Sequence, residues 1–231
     1  MDYAQFCPVA KTAEILGEKW TILILRELLY GTHRFNDFQR AIRGISPTML
    51  TKRLKELESH GIVTKNDHDY ALTPAGEDLA PLVRQFAIWG MRWTRGTVTD
   101  AELDVELLLW DIRRRIDTAF LPEAGAVIEL CVNDHAEPNR WWYIVAQAEE
   151  KLEHREVGLV TDAPDRDIDL VINADLRTLI ELWLGELPLQ DALVLRRLVL
   201  KGRPILIRAI EQWLPLARYA TYSRVARQNS L

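Results

Sequence analysis

The chain has 231 residues, 48% of them hydrophobic, and a formal net charge of −5 from 29 Lys+Arg against 34 Asp+Glu. That length and apolar content suffice for two modest cores or one large one. Two cysteines exclude a disulfide framework, the five histidines at 33, 60, 68, 135 and 154 lack metal-binding spacing, and charges interrupt every apolar run well before the ~18 residues of a membrane span.

Arg34 to Ile42 places Phe35, Phe38 and Ile42 at helical spacing, and Arg43-Gly44-Ile45 is short enough to turn this helix into the next as a helix-turn-helix corner. Ser46 is a good N-cap, Pro47 suits the first helical position where no amide donor is needed, and Gly61 suits the stop. Leu50, Leu54 and Leu57 fall at i, i+4 and i+7 on one face, whereas Thr48, Lys52, Lys55 and Ser59 emerge roughly opposite. One face packs; the other is either a binding surface or an ordinary solvated one. Ile62 to Lys65 and Tyr70 to Thr73 then read as two short strands joined by a polar tip, Asn66-Asp67-His68-Asp69, beside which Lys65 and His68 sit. Between Pro74 and Trp93 lies a stripe of Leu79, Leu82, Val83, Phe86, Trp89, Gly90 and Trp93, too apolar to be left in water. Either a second subunit or the second domain must cover it.

Cys7-Pro-Val-Ala, Leu16-Gly-Glu-Lys-Trp20-Thr, Arg34-Phe-Asn-Asp-Phe, the run from Ile45 to Leu57, Gly61-Ile-Val and Tyr70-Ala-Leu-Thr-Pro-Ala-Gly76 follow one another in an order that resembles the HxlR-type winged-helix transcriptional regulators. These belong to the wider multiple-antibiotic-resistance-regulator superfamily. The resemblance spans about the first 95 residues and implies a homodimer bound to double-stranded DNA, with the Ser46 to His60 helix in the major groove and the Lys65 to Tyr70 wing near the backbone. Within that geometry Thr48, Thr51 and Lys52 are placed for base edges, and Ser46, Arg53, Lys55 and Lys65 for phosphates, with His68 on the wing tip. Arg53 flanks the apolar stripe, so pairing with Glu56 or Glu58 is its alternative role. By the same resemblance Cys7 to Leu16 and Leu79 to Trp93 form the dimer seam. Cys7 is then either an oxidant- or electrophile-sensing thiol or a small buried hydrophobe at that seam.

After Arg95 the polar, acidic run from Gly96 to Leu103 marks a boundary, giving domains 1–97 and 98–231. Charge divides the same way: residues 1–95 hold 13 Lys+Arg against 11 Asp+Glu, residues 96–231 hold 16 against 23. DNA belongs with the first half. Leu103 to Phe120 reads as a helix, followed by strand-length runs at Ala126–Val132, Trp141–Gln147, Arg155–Thr161 and Asp167–Ile172, where Ile168, Leu170 and Ile172 share a buried face. Helices return at Leu176–Trp183, Leu189–Leu195 and Pro204–Trp213.

Asp169-Leu-Val-Ile-Asn-Ala-Asp175, Leu179 to Gln190 and Leu198 to Ile210 resemble sterol-carrier-protein-like domains over roughly residues 100–215. The fold class expected is therefore α+β: a winged helix-turn-helix followed by a sterol-carrier-like domain with an antiparallel sheet. The resemblance implies an apolar tunnel for a hydrophobic small molecule, walled by Trp141, Tyr143, Trp183, Leu187, Ile205 and Trp213; the alternative is that these build ordinary core. Arg196-Arg197 departs from the small residues such domains carry before their last strand.

No nucleophile elbow, phosphate loop, dinucleotide turn or helical zinc motif is present, so neither catalysis, nor a cofactor, nor a metal is expected. Cys131 lies in a strand and reads as inert. The expectation is a cytoplasmic, dimeric, sequence-specific DNA-binding regulator whose C-terminal domain is either a sensor of a hydrophobic effector or an oligomerisation platform, with no membrane partner. The competing readings are a hydrophobic-ligand carrier and a Cys7 thiol switch.

Overall fold

The computed structural model describes residues 2–67, 69–94, 98–137, 139–146 and 155–222, and the chain divides into two compact units, Met1–Trp89 and Gly90–Leu231. The first unit runs α1 (Pro8–Leu16), α2 (Thr21–Leu29), α3 (Phe35–Ala41), α4 (Pro47–Ser59), β1 (Val63–Asn66), β2 (Asp69–Leu72), α5 (Pro74–Glu77) and α6 (Ala80–Trp89). Its core gathers Ile24, Leu25 and Leu28 of α2, Phe38 of α3, Leu50, Leu54 and Leu57 of α4, Val63 and Tyr70 of the hairpin and Val83 of α6. The apolar spacing read along each helix therefore converges on one centre. Gly44, at φ +81°, supplies the left-handed turn between α3 and α4.

β1 and β2 pair antiparallel from Val63↔Leu72 to Asn66↔Asp69. The ladder reaches further than the sequence suggested, because Asn66 and Asp69 pair within it, and Asp67 follows at φ +46°. Asp tolerates that left-handed conformation better than most residues.

The second unit holds α7 (Val105–Arg115), β3 (Ala126–Val132), β4 (Arg140–Val145), β5 (Val157–Val160), β6 (Leu170–Ala174), α8 (Leu176–Trp183), α9 (Leu189–Val194), β7 (Leu198–Gly202), α10 (Pro204–Arg208) and α11 (Ile210–Trp213). Its five strands lie in the order β5-β4-β3-β6-β7. The expected antiparallel sheet needs correcting at its centre, where β3 and β6 pair in parallel; the other three pairings are antiparallel. Ile128, Leu130 and Val132 of β3, Trp141, Tyr143 and Val145 of β4, and Leu170, Ile172 and Ala174 of β6 share one core with Leu108, Leu109 and Ile112 of α7 and with Leu179, Leu182 and Trp183 of α8. Period two on the strands and period 3.6 on the helices meet there.

Several boundaries differ from the sequence expectation. The helix expected through Phe120 stops at Arg115, because the Asp117 carboxylate caps a separate 3-10 turn over Thr118–Phe120. The helix expected over Pro204–Trp213 is interrupted at Ala209. Ile168 is exposed rather than on the buried face, since β6 begins only at Leu170, after Asp169 turns its carboxylate to the Val127 amide at 2.9 Å and to Arg203 at 3.1 Å.

Candidate nucleic-acid interface

α4 begins as its sequence dictates. The Ser46 hydroxyl accepts the Met49 amide at 3.2 Å, Pro47 occupies the first position, and Gly61 follows the last turn at φ +67°. With Leu50, Leu54 and Leu57 sealed beneath the helix, Thr48, Lys52 and Lys55 face outward and exposed. Thr51 is half-buried, its hydroxyl donating to the Pro47 carbonyl at 2.9 Å, so a hydrogen-bonding partner outside must share that oxygen with the helix itself. The Lys52 ammonium lies 3.9 Å from Glu56 on a side chain that is 61% exposed, an arrangement that leaves most of its donors to solvent.

Arg53 is the correction to this set. It is buried, with Nε donating to the Lys19 carbonyl at 3.1 Å, Nη2 to Glu18 at 2.7 Å and Nη1 to Glu56. A guanidinium committed to three acceptors under the helix cannot also reach a phosphate, so of the two roles the sequence left open the internal one holds. Its second partner, Glu18, lies 35 residues away in the turn between α1 and α2, which anchors α4 to that corner.

The hairpin places Lys65 exposed, with its ammonium 5.7 Å from the Tyr70 ring centre, and the Tyr70 ring meets Phe38 edge-on at 6.3 Å. The wing is thereby fastened to α3. Position 68, the expected wing-tip histidine, lies outside the described residues. Arg34 was not singled out in the sequence: it opens α3, forms a bridge with Asp69 of β2 and carries a side chain 79% exposed, 3.8 Å from the Asp69 carboxylate. His33 Nδ1 lies 3.0 Å from the Tyr70 carbonyl beside it. The signal for this cation is tertiary, since the wing that brings Asp69 to Arg34 is 35 positions downstream.

α1 has no buried residue, and Phe6, Val9, Leu82, Phe86 and Trp89 are all exposed. Cys7 sits half-buried at the start of α1 as a free thiol whose side chain makes no capping hydrogen bond.

In the second unit the six residues expected to wall a tunnel take different positions in the packing. Trp141, Tyr143, Trp183 and Trp213 are buried core, with the Tyr143 hydroxyl donating to the Leu109 carbonyl at 3.2 Å and Trp213 Nε1 to the Leu206 carbonyl at 2.9 Å. Leu187 packs at the margin, and Ile205 is 56% exposed on the outer side of α10. Satisfied polar atoms in a close-packed setting are what core aromatics require. Arg197, which departed from the expected pattern, is an internal brace: Nε donates to Thr178 at 3.0 Å and Nη2 to Glu181 at 2.7 Å, both on α8. Among the described residues no group of three or more His, Cys, Asp and Glu side chains could hold a metal ion, and no helix is long and apolar enough to cross a membrane.

Comparison with known proteins matches residues 15–97 to the HxlR-like helix-turn-helix family. The HTH-type transcriptional regulator YvaP of Bacillus subtilis is 34% identical over 101 residues, which cover 40% of this chain and 94% of that protein. YybR of the same organism, also named as an HTH-type transcriptional regulator, is 37% identical over 91 residues, covering 36% of this chain and 73% of its own. Among solved structures, the oxidised form of the redox regulator HypR is 35% identical, covering 40% of this chain and 100% of that one, with a TM-score of 0.37. Through the half that carries α4 and its wing, the chain belongs to the HxlR-like helix-turn-helix family of transcriptional regulators.

Proposed function

We propose that the protein is a homodimeric, sequence-specific DNA-binding regulator in which α4 enters the major groove and the β1–β2 wing lies against the adjacent backbone. The observation that carries this reading is the division of α4: an underside closed by three leucines and Arg53, and an outer face presenting Thr48, Lys52 and Lys55 to solvent. Thr48 and Lys52 stand in the first turns, where a recognition helix meets base edges, with Thr51 between them; Ser46, Lys55, Lys65 and Arg34 are placed for phosphates. The exposed Phe6, Val9, Leu82, Phe86 and Trp89 support pairing of two chains through α1 and α6, since so many large apolar side chains in water mark an interface. A dimer with two-fold symmetry then reads a near-palindrome.

Selection of duplexes from a random pool by the purified full-length protein tests the reading. Enrichment of an inverted repeat, bound with a steep salt dependence, is the expected result. Recovery of random sequence with no enrichment would refute sequence-specific recognition.

A second reading concerns Cys7, whose partly exposed, uncapped thiol has the access that oxidant sensing requires. Cys7→Ser then abolishes release of DNA by peroxide while leaving resting affinity unchanged. Unaltered peroxide release in that variant removes the thiol switch and leaves the DNA reading intact.

A further inference from the structure

The C-terminal unit contains a concave site at the end of α7 that the tunnel expectation did not foresee. A cavity of about 580 Å³ is lined by Arg113, Arg114, Arg115, Asp117, Thr118 and Arg155, together with Ile116, Val157 and Pro215. Its volume falls within the ~300–1,000 Å³ of small-molecule sites. Among the described residues four guanidinium groups and one carboxylate line it, in a half of the chain that is acidic overall.

The charges of two of these arginines are not neutralised by the contacts they make. Arg113 donates Nε to the Val157 carbonyl at 2.7 Å and stacks its guanidinium 5.5 Å from the Trp110 ring centre. Arg155 donates through Nη1 to the Pro122 carbonyl and through Nη2 to the carbonyls of Thr118 and Leu121, the last at 2.9 Å. Carbonyls and an aromatic face satisfy donors and orient the group, but they leave the net positive charge in place. Arg114 pairs with Asp111, and Asp117 accepts the Ala119 amide at 3.0 Å. Three basic residues in a last helical turn complement the helix dipole, which accounts for their placement on α7. The dipole does not account for Arg155, which lies just before β5 and ties to the segment from Thr118 to Pro122, nor for Arg113, whose contact to the Val157 carbonyl uses Nε and leaves the two Nη groups as a fork.

We infer that this cavity binds a small organic oxyanion, carrying a carboxylate or a phosphate group, with the Arg113 fork as its principal ligand. A fork fixed by a carbonyl behind it and a ring beside it is pre-organised, so less side-chain freedom is lost when an anion docks. Thr118, only 5% exposed, accepts the Arg155 amide at 3.3 Å and keeps its own hydroxyl proton for a ligand oxygen. The site touches β5, the edge strand of the sheet, and the C-terminal turn of α7, which gives the second unit an input chemically unlike the apolar molecule its sequence suggested.

Calorimetric titration of the full chain with citrate and with inorganic pyrophosphate, each at ionic strength matched with sodium chloride, tests this. Saturable binding of either probe with a Kd below about 1 mM is expected, weakened at least about tenfold by Arg113→Gln and tightened about threefold by Asp117→Asn, which removes the opposing charge but keeps a capping oxygen. Citrate alone binding assigns a carboxylate ligand and pyrophosphate alone a phosphate ligand; either supports the site. Heats no larger than those of sodium chloride overturn it, as does binding that neither substitution changes. Should Arg113→Gln fail to fold, the Asp117→Asn comparison decides. The assay contains no DNA, so its failure would leave the proposed function untouched.

Discussion

Arg53 and Lys52 are adjacent cations on one helix with opposite fates. The turn of the helix sends Lys52 outward and Arg53 beneath, where it finds Glu18, Glu56 and the Lys19 carbonyl. Their substitutions separate accordingly. Arg53→Ala strands two carboxylates and loses the tie between α4 and the α1–α2 turn; because Glu18 and Glu56 are 31% and 41% exposed, the cost falls below the full penalty of a buried pair, at about 2 kcal/mol, read as a lower urea midpoint. Its salt slope of DNA binding stays that of the wild type. Lys52→Ala leaves the free energy of urea unfolding within about 0.5 kcal/mol of the wild type and reduces the salt slope by about one. A reduced slope for Arg53→Ala in a folded protein would return that residue to the DNA contacts. Periodicity already set Lys52 opposite the leucine stripe and Arg53 at its flank; what it could not supply was Glu18, the partner 35 residues distant that holds Arg53 beneath the helix.

At the scale of elements, the ends of α4 were legible because local chemistry alone makes them: a hydroxyl cap, a proline without a donor and a glycine in the left-handed region. Ser46→Ala removes the oxygen that holds the Met49 amide and is expected to lower stability by about 1 kcal/mol, measured by chemical denaturation, with Ser46→Asp restoring it. α8 is capped in the same manner by Asp175, which accepts the Thr178 amide at 2.8 Å and the Thr178 hydroxyl. Burial pushes that carboxyl upward, but the two Thr178 donors and the nearby Arg197 charge outweigh it and hold the group below its ordinary value of 3.8. Depression in the folded state means the contribution is complete above the unfolded pKa and is lost as pH falls through the folded one. Asp175→Asn, which keeps the cap and discards the charge, is therefore expected to flatten the acid side of the stability–pH curve below about pH 4, followed by melting temperature. An unchanged acid limb would show that the cap is not the source. Other element limits carry no such cap signal in the sequence. The Pro204–Trp213 helix is interrupted at Ala209, and the hairpin ladder runs on to the pairing of Asn66 with Asp69.

For the molecule as a whole, the two-domain reading rested on the division of charge and the polar, acidic run after Arg95, and the chain divides into two compact units at Trp89 and Gly90. A tunnel was not legible there, because a stripe of tryptophans and leucines has the same spacing whether it walls a cavity or fills a core; Tyr143 and Trp213 belong to the core, with their polar atoms bonded to backbone carbonyls. Pairing of two chains is testable at this scale. Phe86→Glu places a charge in the exposed stripe of α6, and sedimentation is expected to show a monomer whose DNA affinity falls at least about a hundredfold, since one half-site then binds without its twin. A dimer of undiminished affinity in that variant would move the seam elsewhere.

The parallel seam between β3 and β6 also orders events at the ribosome. Strand β3 is complete at Val132, yet its second neighbour arrives only with Leu170, roughly 40 residues later, and the sheet is closed on that side by β7 at Leu198. Contacts of such long reach form slowly. Vectorial synthesis therefore lets the helical first half collapse around its leucines while the later half still waits for its central partner, so a nascent or truncated chain would present a finished reading head attached to an unfinished sheet whose open strand edge invites chaperones and proteases.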